Sequence, residues 1–270
     1  MIGKVVAGAC AAWLLAGCGG GENRAVQAAP ALKTGQVVYR VATDATYPPF
    51  EFRNHRGEII GMDIDLLDAI AADQGFKVEY YHHDWEGMFS QLTGKQADIL
   101  ASAVAVNDES REHADLSEHY YRSPYRVVSL KKENLDKLAW TKKQIAVAAN
   151  DDTAEDMRER YPIAAGQIHA SESLYLSLTA LVKGEADSAV GDSTVMQYYM
   201  NSPTFKDHGY HFVSDTLPSA TPESANLVFA VQKGNTELLS KINAGLRKLK
   251  QNGKYDEIMQ KWRQSSLKES

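Results

Sequence analysis

Residues 41–67 read VATDATYPPFEFRNHRGEIIGMDIDLL. The stretch begins inside a strand, because Val37 to Thr43 is a β-branched, mostly apolar run. It breaks at Pro48-Pro49, where a fixed ring torsion and a missing N–H oppose both helix and central strand. Tyr47 and Phe50 stand on either side of that break. The chain then turns at His55-Arg56-Gly57 and enters a helix at Asp63, just past Gly61. Asp63 is the expected N-cap. Leu66, Leu67 and Ile70 share one helical face, while Asp65 and Asp68 face water or the N-terminal dipole. Aromatics beside a rigid break at the C-terminal end of a strand suit a ligand mouth better than a core.

Outward from this stretch, Gly75 ends the helix and Lys77 to Tyr81 reads as a second strand. His82-His83-Asp84-Trp85 is a loop, and Trp85 to Thr93 a short helix with Met88, Phe89 and Leu92 inward. Asp98 to Val106, DILASAVAV, is almost continuously apolar and predicts a central parallel strand. Alternation of strand and helix implies an α/β unit, whose ligands sit beyond the C-terminal strand ends. Those ends are 43–50, 82–85 and 105–111, so three separate loops are expected at one crevice.

The second half repeats the pattern. Strands are expected at 127–130, 145–149, 186–190 and 227–231, with helices running to Arg160, over 174–183 and around 197–201. Thr236 is expected to cap a helix striped by Leu238, Leu239, Ile242, Leu246 and Leu249; Gly253 stops it, and a last helix covers 255–262. One internal echo stands out. Leu92-Thr-Gly-Lys-Gln-Ala-Asp98 and Leu181-Val-Lys-Gly-Glu-Ala-Asp187 each precede an apolar strand, as two lobes on related plans would require.

The 270 residues are 44% apolar and 24% charged, enough for two cored lobes. A formal charge of -6 and the absence of any basic block exclude nucleic acid as a partner class. At the N-terminus, Lys4 precedes the apolar run Val5 to Ala16, too short to span a bilayer, and Leu15-Ala16-Gly17-Cys18 resembles a bacterial lipobox. Residues 1–17 are therefore expected to be a signal peptide, Cys18 to carry lipid, and 18–36 to form a small, polar tether. With Cys10 removed and Cys18 acylated, the mature chain holds no thiol for catalysis or metal binding. His82-His83 with Asp84, and His113 with His119, lack the spacing that puts two ligands on one helical face, so no metal site is expected.

The wording T-D-A-T-Y-P-P-F-E-F followed by G-M-D-I-D-L resembles the family 3 solute-binding proteins, receptors of polar amino acid ABC transporters. The resemblance covers nearly all of 37–263. It implies a type II, periplasmic-binding-protein-like clamshell of the α/β class, each lobe a mainly parallel sheet flanked by helices. Lobe 1 would be 37–126 plus 227–266 and lobe 2 127–226, with hinge crossings near 125 and 224. It also implies an exported, membrane-anchored monomer that hands a small solute to a permease, without cofactor or catalytic residue.

The site follows residue by residue. Tyr47 and Trp85 match the aromatic positions that sandwich the ligand side chain; Trp85 as plain core is the bland alternative. Phe50 belongs to the same mouth. Asp44 matches the position that meets a basic side chain in lysine/arginine/ornithine-binding relatives, or it merely caps its turn. Asp192, in A-V-G-D-S-T, matches the acid that accepts the α-ammonium, or it is the N-cap of the next helix. The carboxylate side departs from the family. Aligned from Asp98, the hydroxyl-bearing positions become Ser102, Ala103 and Ala105, and Ser110 stands where the clamping Arg belongs. Arg111 lies one residue late and needs a slip within 107–110 to act. The usual hydroxyl-rich turn of lobe 2 becomes Asn150-Asp151-Asp152-Thr153, leaving Thr153 as donor while Asp152 and Glu155 read as a capping box.

The leading expectation is a receptor for an amino acid, leaning to cationic because Asp44, Asp151, Asp152 and Asp192 would line the cleft. A cyclohexadienyl-dehydratase-like enzyme is the first alternative, with Glu51, Glu172 or Glu223 as acid. A non-transport adhesin or sensor module on the same fold is the second.

Overall fold

The computed structural model describes residues 35–149 and 153–265. The chain opens with β1 (Val38–Thr43) and a small antiparallel sheet of β2 (Thr46–Tyr47), β3 (Glu51–Arg53) and β4 (Ile59–Ile60). Then come α1 (Met62–Gln74), β5 (Lys77–His82), α2 (Met88–Thr93), β6 (Ile99–Ala105), α3 (Asp108–His113), β7 (Ala114–Leu116) and β8 (Tyr121–Arg122). A second group follows: β9 (Tyr125–Ser129), β10 (Ile145–Ala148), α4 (Thr153–Arg160), β11 (Ile168–Ser171), α5 (Leu174–Lys183), β12 (Ser188–Asp192), α6 (Ser193–Met200), α7 (Pro203–Lys206) and β13 (Val213–Thr216). β14 (Asn226–Gln232), α8 (Thr236–Gln251) and α9 (Lys254–Ser265) return to the first sheet.

Two lobes result. Among the described residues the first sheet runs β5-β1-β6-β14-β7, with β8 beside β14, and the second β11-β10-β12-β9-β13. β1 pairs in parallel with β5 from Val38 with Lys77 to Thr43 with His82, and with β6 on its other side. The run 98–106 is thus central but parallel on one side only, because β14 lies antiparallel along its other edge. The second sheet has the same mixture: β11, β10 and β12 are parallel, and β9 and β13 antiparallel.

The internal echo has a physical basis. The backbone N–H of Asp98 donates to the Arg40 carbonyl at 2.8 Å, and the Asp98 carboxylate accepts from the Arg40 N–H at 2.8 Å. Asp187 does the same with Gln144, at 2.8 and 2.9 Å. In each lobe one aspartate grips both backbone groups of a single residue and so sets neighbouring parallel strands in register.

Leu66, Leu67 and Ile70 of α1 are fully buried, and α8 packs its Leu238, Ile242 and Leu246 onto the same core. Each such side chain contributes about 1.5–3 kcal/mol by leaving water. Leu239 of the expected stripe is only partly buried, and the α8 cap is Asn235, whose side chain accepts from Leu238 N–H at 3.3 Å. The start of α1 also differs from expectation. Gly61, not Asp63, is its N-cap. The first N–H groups are satisfied from outside the helix: Met62 donates to the Pro49 carbonyl at 2.9 Å and Asp63 to the Phe50 carbonyl at 3.0 Å. With its amide so used, Asp63 turns its carboxylate inward and is fully buried.

Candidate functional site: an acidic cleft between two lobes

Because β1, β5 and β6 are parallel neighbours, their C-terminal ends meet. Asp44 follows β1, and its N–H donates to Ser102 Oγ of β6 at 2.9 Å. Its Oδ1 accepts from Thr46 Oγ1 at 2.8 Å and its Oδ2 from the Trp85 N–H, in the loop after β5, at 3.2 Å. One residue, through its N–H and its carboxylate, therefore ties three strand ends together. Asp44, Tyr47, Trp85, Ser102 and Asn107 line one cleft of about 280 Å³, the size class of a single small solute.

The floor of the cleft is unusual. Ala103, in the middle of β6, has φ of +45°, a left-handed conformation rare for a residue with a Cβ. The N–H that this kink turns aside donates to Asp63 Oδ2 at 3.0 Å, and the Tyr120 hydroxyl donates to the same oxygen at 2.6 Å. Beside it lies Glu51, buried, with Oε1 accepting from Ser102 Oγ at 3.4 Å. Among the described residues, neither Glu51 Oε2 nor Asp63 Oδ1 receives a hydrogen bond from an N–H or hydroxyl donor. One proton shared between the two carboxyls satisfies both oxygens. Burial holds Glu51 well above the usual carboxylate range, with the Asp63 and Asp44 charges adding to the effect. Burial likewise raises Asp63 to about 7, against the opposing bonds from Tyr120 and Ala103.

The facing wall comes from the second lobe. Asp192 ends β12, and its Oδ1 accepts from the Thr194 and Val195 N–H groups at 2.8 and 3.0 Å. It caps α6 and lines the cleft at once, so the two readings of this residue do not compete. Asp156 and Arg160 on α4 line the same wall, paired at 2.6 Å, and Ser123 to Tyr125 and Ser224 line the cleft where the chain crosses. The described lining holds four carboxyls, on Asp44, Glu51, Asp156 and Asp192, against one guanidinium, on Arg160.

Other expected site residues lie elsewhere. Phe50 is fully buried behind the mouth, its ring stacked with that of Tyr47 at 6.2 Å between centroids. Thr153 is the first residue of α4 and fully buried, not at the cleft surface. Arg111 does not line the cleft: it sits exposed on α3 and pairs with Glu223. The physical reason is the capping box of α3, in which the Asn107 side chain accepts from Ser110 N–H at 2.8 Å while Ser110 Oγ accepts from Asn107 N–H at 3.0 Å. That interlock fixes the loop without the one-residue slip. Asp151, Asp152 and Cys18 lie outside the described residues. Sequence reasoning missed Arg160 at the cleft wall and the buried Asp63 carboxylate behind the cleft. Arg160 carries no local signal, and G-M-D-I-D-L shows a helix start at Asp63 but not what lies beneath it.

A model of the bacterial extracellular solute-binding proteins, family 3, matches residues 39–265. The chain belongs to this family. A probable histidine-binding protein of Neisseria gonorrhoeae is 33% identical over 256 residues, covering 94% of this chain and 92% of the relative. Among solved structures, an ancestral arginine-binding protein bound to arginine is similar with a TM-score of 0.71 at 27% identity, covering 84% of this chain and 98% of that one. An ancestral amino acid-binding protein that is a precursor of cyclohexadienyl dehydratase is similar with a TM-score of 0.69 at 31% identity, covering 83% and 95%. Like these, this family 3 solute-binding protein is a two-lobed type II fold. No helix among its described residues is long and apolar enough to cross a membrane.

Proposed function

We propose that this solute-binding protein captures a cationic amino acid between its lobes and presents it to an ABC permease. The observation that carries the reading is the charge of the cleft: Arg160 is balanced by Asp156 and Glu51 holds its proton, which leaves Asp44 on one wall and Asp192 on the other as its net charge. Burying a cationic side chain there is offset by carboxylates on both walls, whereas an anionic side chain would face uncompensated repulsion. Tyr47 and Trp85 offer apolar faces and ring quadrupoles to the same cation. The histidine and arginine named for its relatives fit that charge.

In this reading residues 37–126 plus 227–266 move against 127–226 about the crossings near 125 and 224. Residues 1–17 direct export, and lipid on Cys18 holds a monomeric receptor at the membrane through the 18–36 tether. Calorimetric titration with arginine, lysine, histidine, glutamine and glutamate tests the ligand class. At least one cationic amino acid should bind 10-fold or more tighter than glutamine, on the order of 1.4 kcal/mol, and glutamate should not bind. Preferred binding of glutamine or glutamate would sink the reading.

Glu51 favours a second reading, a dehydratase, because a buried, protonated carboxyl at a cleft is a general acid in waiting. It requires turnover of prephenate that Glu51→Gln abolishes. An unchanged prephenate absorbance in the presence of the wild-type protein removes it.

A further inference from the structure

An amino acid brings a carboxylate into this cleft, and the walls described so far offer it mainly other carboxylates. Arg111 is turned out to Glu223, and α3 is locked by its capping box. The described lining contains one cationic side chain, that of Arg160. Arg160 enters from α4 of the second lobe with its side chain 19% exposed. Its guanidinium is already oriented. One terminal nitrogen donates to Asp156 Oδ2 at 2.6 Å, four residues back on the helix, and the other to the Pro218 carbonyl in the crossing segment. A guanidinium carries five N–H donors in a rigid fork, and these two bonds occupy two of them.

We propose that Arg160 receives the α-carboxylate of the ligand, with Asp156 and the Pro218 carbonyl as its positioning groups. The inference rests on the amino acid reading given above. It assigns the carboxylate to the lobe opposite Arg111. The ends of the ligand are thereby divided: its cationic groups lie between Asp44 and Asp192, and its acid end against α4. Binding would also join α4 of the second lobe to a solute held by the first, as closure of the cleft on its ligand requires.

The test compares ligands that differ only in the carboxylate. Arginine and agmatine, which is arginine without that group, are titrated into wild-type protein and into Arg160→Ala, Arg160→Lys and Arg111→Ala. Arg160→Ala should weaken arginine by about 10- to 100-fold, the range for a hydrogen bond between charged groups, and agmatine by less than about threefold. Arg160→Lys should recover part of the loss, since lysine keeps the charge but not the fork. Arg111→Ala should leave both ligands unchanged. If Arg160→Ala weakens both ligands equally, the residue only holds α4 in place and the proposal fails. If it weakens neither, or if Arg111→Ala selectively weakens arginine, the carboxylate lies elsewhere and the proposal fails again. Arg160→Gln serves should the alanine variant melt early. If the wild-type protein binds none of arginine, lysine or histidine, the cationic amino acid reading falls and takes this inference with it, a result distinct from wild-type binding that Arg160 does not influence.

Discussion

The Tyr120 hydroxyl donates to Asp63 Oδ2 at 2.6 Å, and this bond holds a buried carboxylate in the first turn of α1 directly behind the cleft-lining Ala103. The same oxygen holds the Ala103 N–H at 3.0 Å, so helix start, strand kink and the strand-flanking Tyr120 meet at one atom. Burial raises both Asp63 and its neighbour Glu51 in the folded chain.

Stability should therefore fall as pH rises through neutrality. Asp63 is raised to about 7 in the folded chain, against about 3.9 for an unperturbed aspartate. A raised pKa means the folded state holds the proton more tightly than the unfolded one. The stabilisation is complete below about pH 4 and is lost on the way up through about 7, and it amounts to a few kcal/mol. Glu51, raised in the same direction, reinforces the slope. Melting temperature should be lower at pH 8 than at pH 6. Asp63→Asn can keep both bonds through its amide oxygen and should flatten that difference, as should Glu51→Gln. A slope unchanged in both variants would mean the pair is not the origin.

Gly61 should be irreplaceable. At φ of +151° its Cα passes beneath β3, and a Cβ there would lie 1.9 Å from the Phe50 carbonyl oxygen and 2.8 Å from Glu51 Cα. Both are backbone atoms, so no rotamer change relieves the clash. The displaced carbonyl is the one that accepts from Asp63 N–H at 3.0 Å. Gly61→Ala should cost about 3 kcal/mol or more from overpacking, strained backbone and the lost bond together. A urea midpoint within error of wild type would refute the close approach.

Ala103 makes the opposite case. Its left-handed φ of +45° costs about 1–2 kcal/mol for an L-residue, and glycine removes that cost while adding about 0.5–1 kcal/mol of unfolded-state entropy. Ala103→Gly should thus be neutral to about 1 kcal/mol stabilising in chemical denaturation, a rare sign for glycine in a strand. A loss beyond about 1 kcal/mol would show that the kink is not strained.

Much of this was legible because periodic apolar runs and strand-end topology are local facts. The alternation around 37–106 fixes which loops meet, and Asp44, Tyr47 and Trp85 lie on those loops. The echo at Asp98 and Asp187 was visible as wording, and its meaning is a pair of backbone bonds repeated in each lobe. Long-range partners were not legible. Nothing near Arg111 announces Glu223, and nothing near Arg160 announces the carbonyl of Pro218. Asp63 misled for a related reason: an acid in a first helical turn ordinarily serves the helix, but here the helix is capped by the carbonyls of Pro49 and Phe50.

Arg111 supplies the last prediction. Its side chain is 53% exposed and that of its partner Glu223 is 61% exposed. Such a pair is screened by water and salt and contributes little, commonly below about 1 kcal/mol. The position of α3 depends instead on the Asn107 and Ser110 interlock, which is partly buried and made of complementary bonds at 2.8 and 3.0 Å. Arg111→Ala should shift the denaturation midpoint by no more than about 0.5 kcal/mol, whereas Asn107→Ala removes an N-terminal cap and should cost about 1 kcal/mol. The reverse ranking would mean that Arg111, by its tie to the crossing segment, holds the loop in place of the cap.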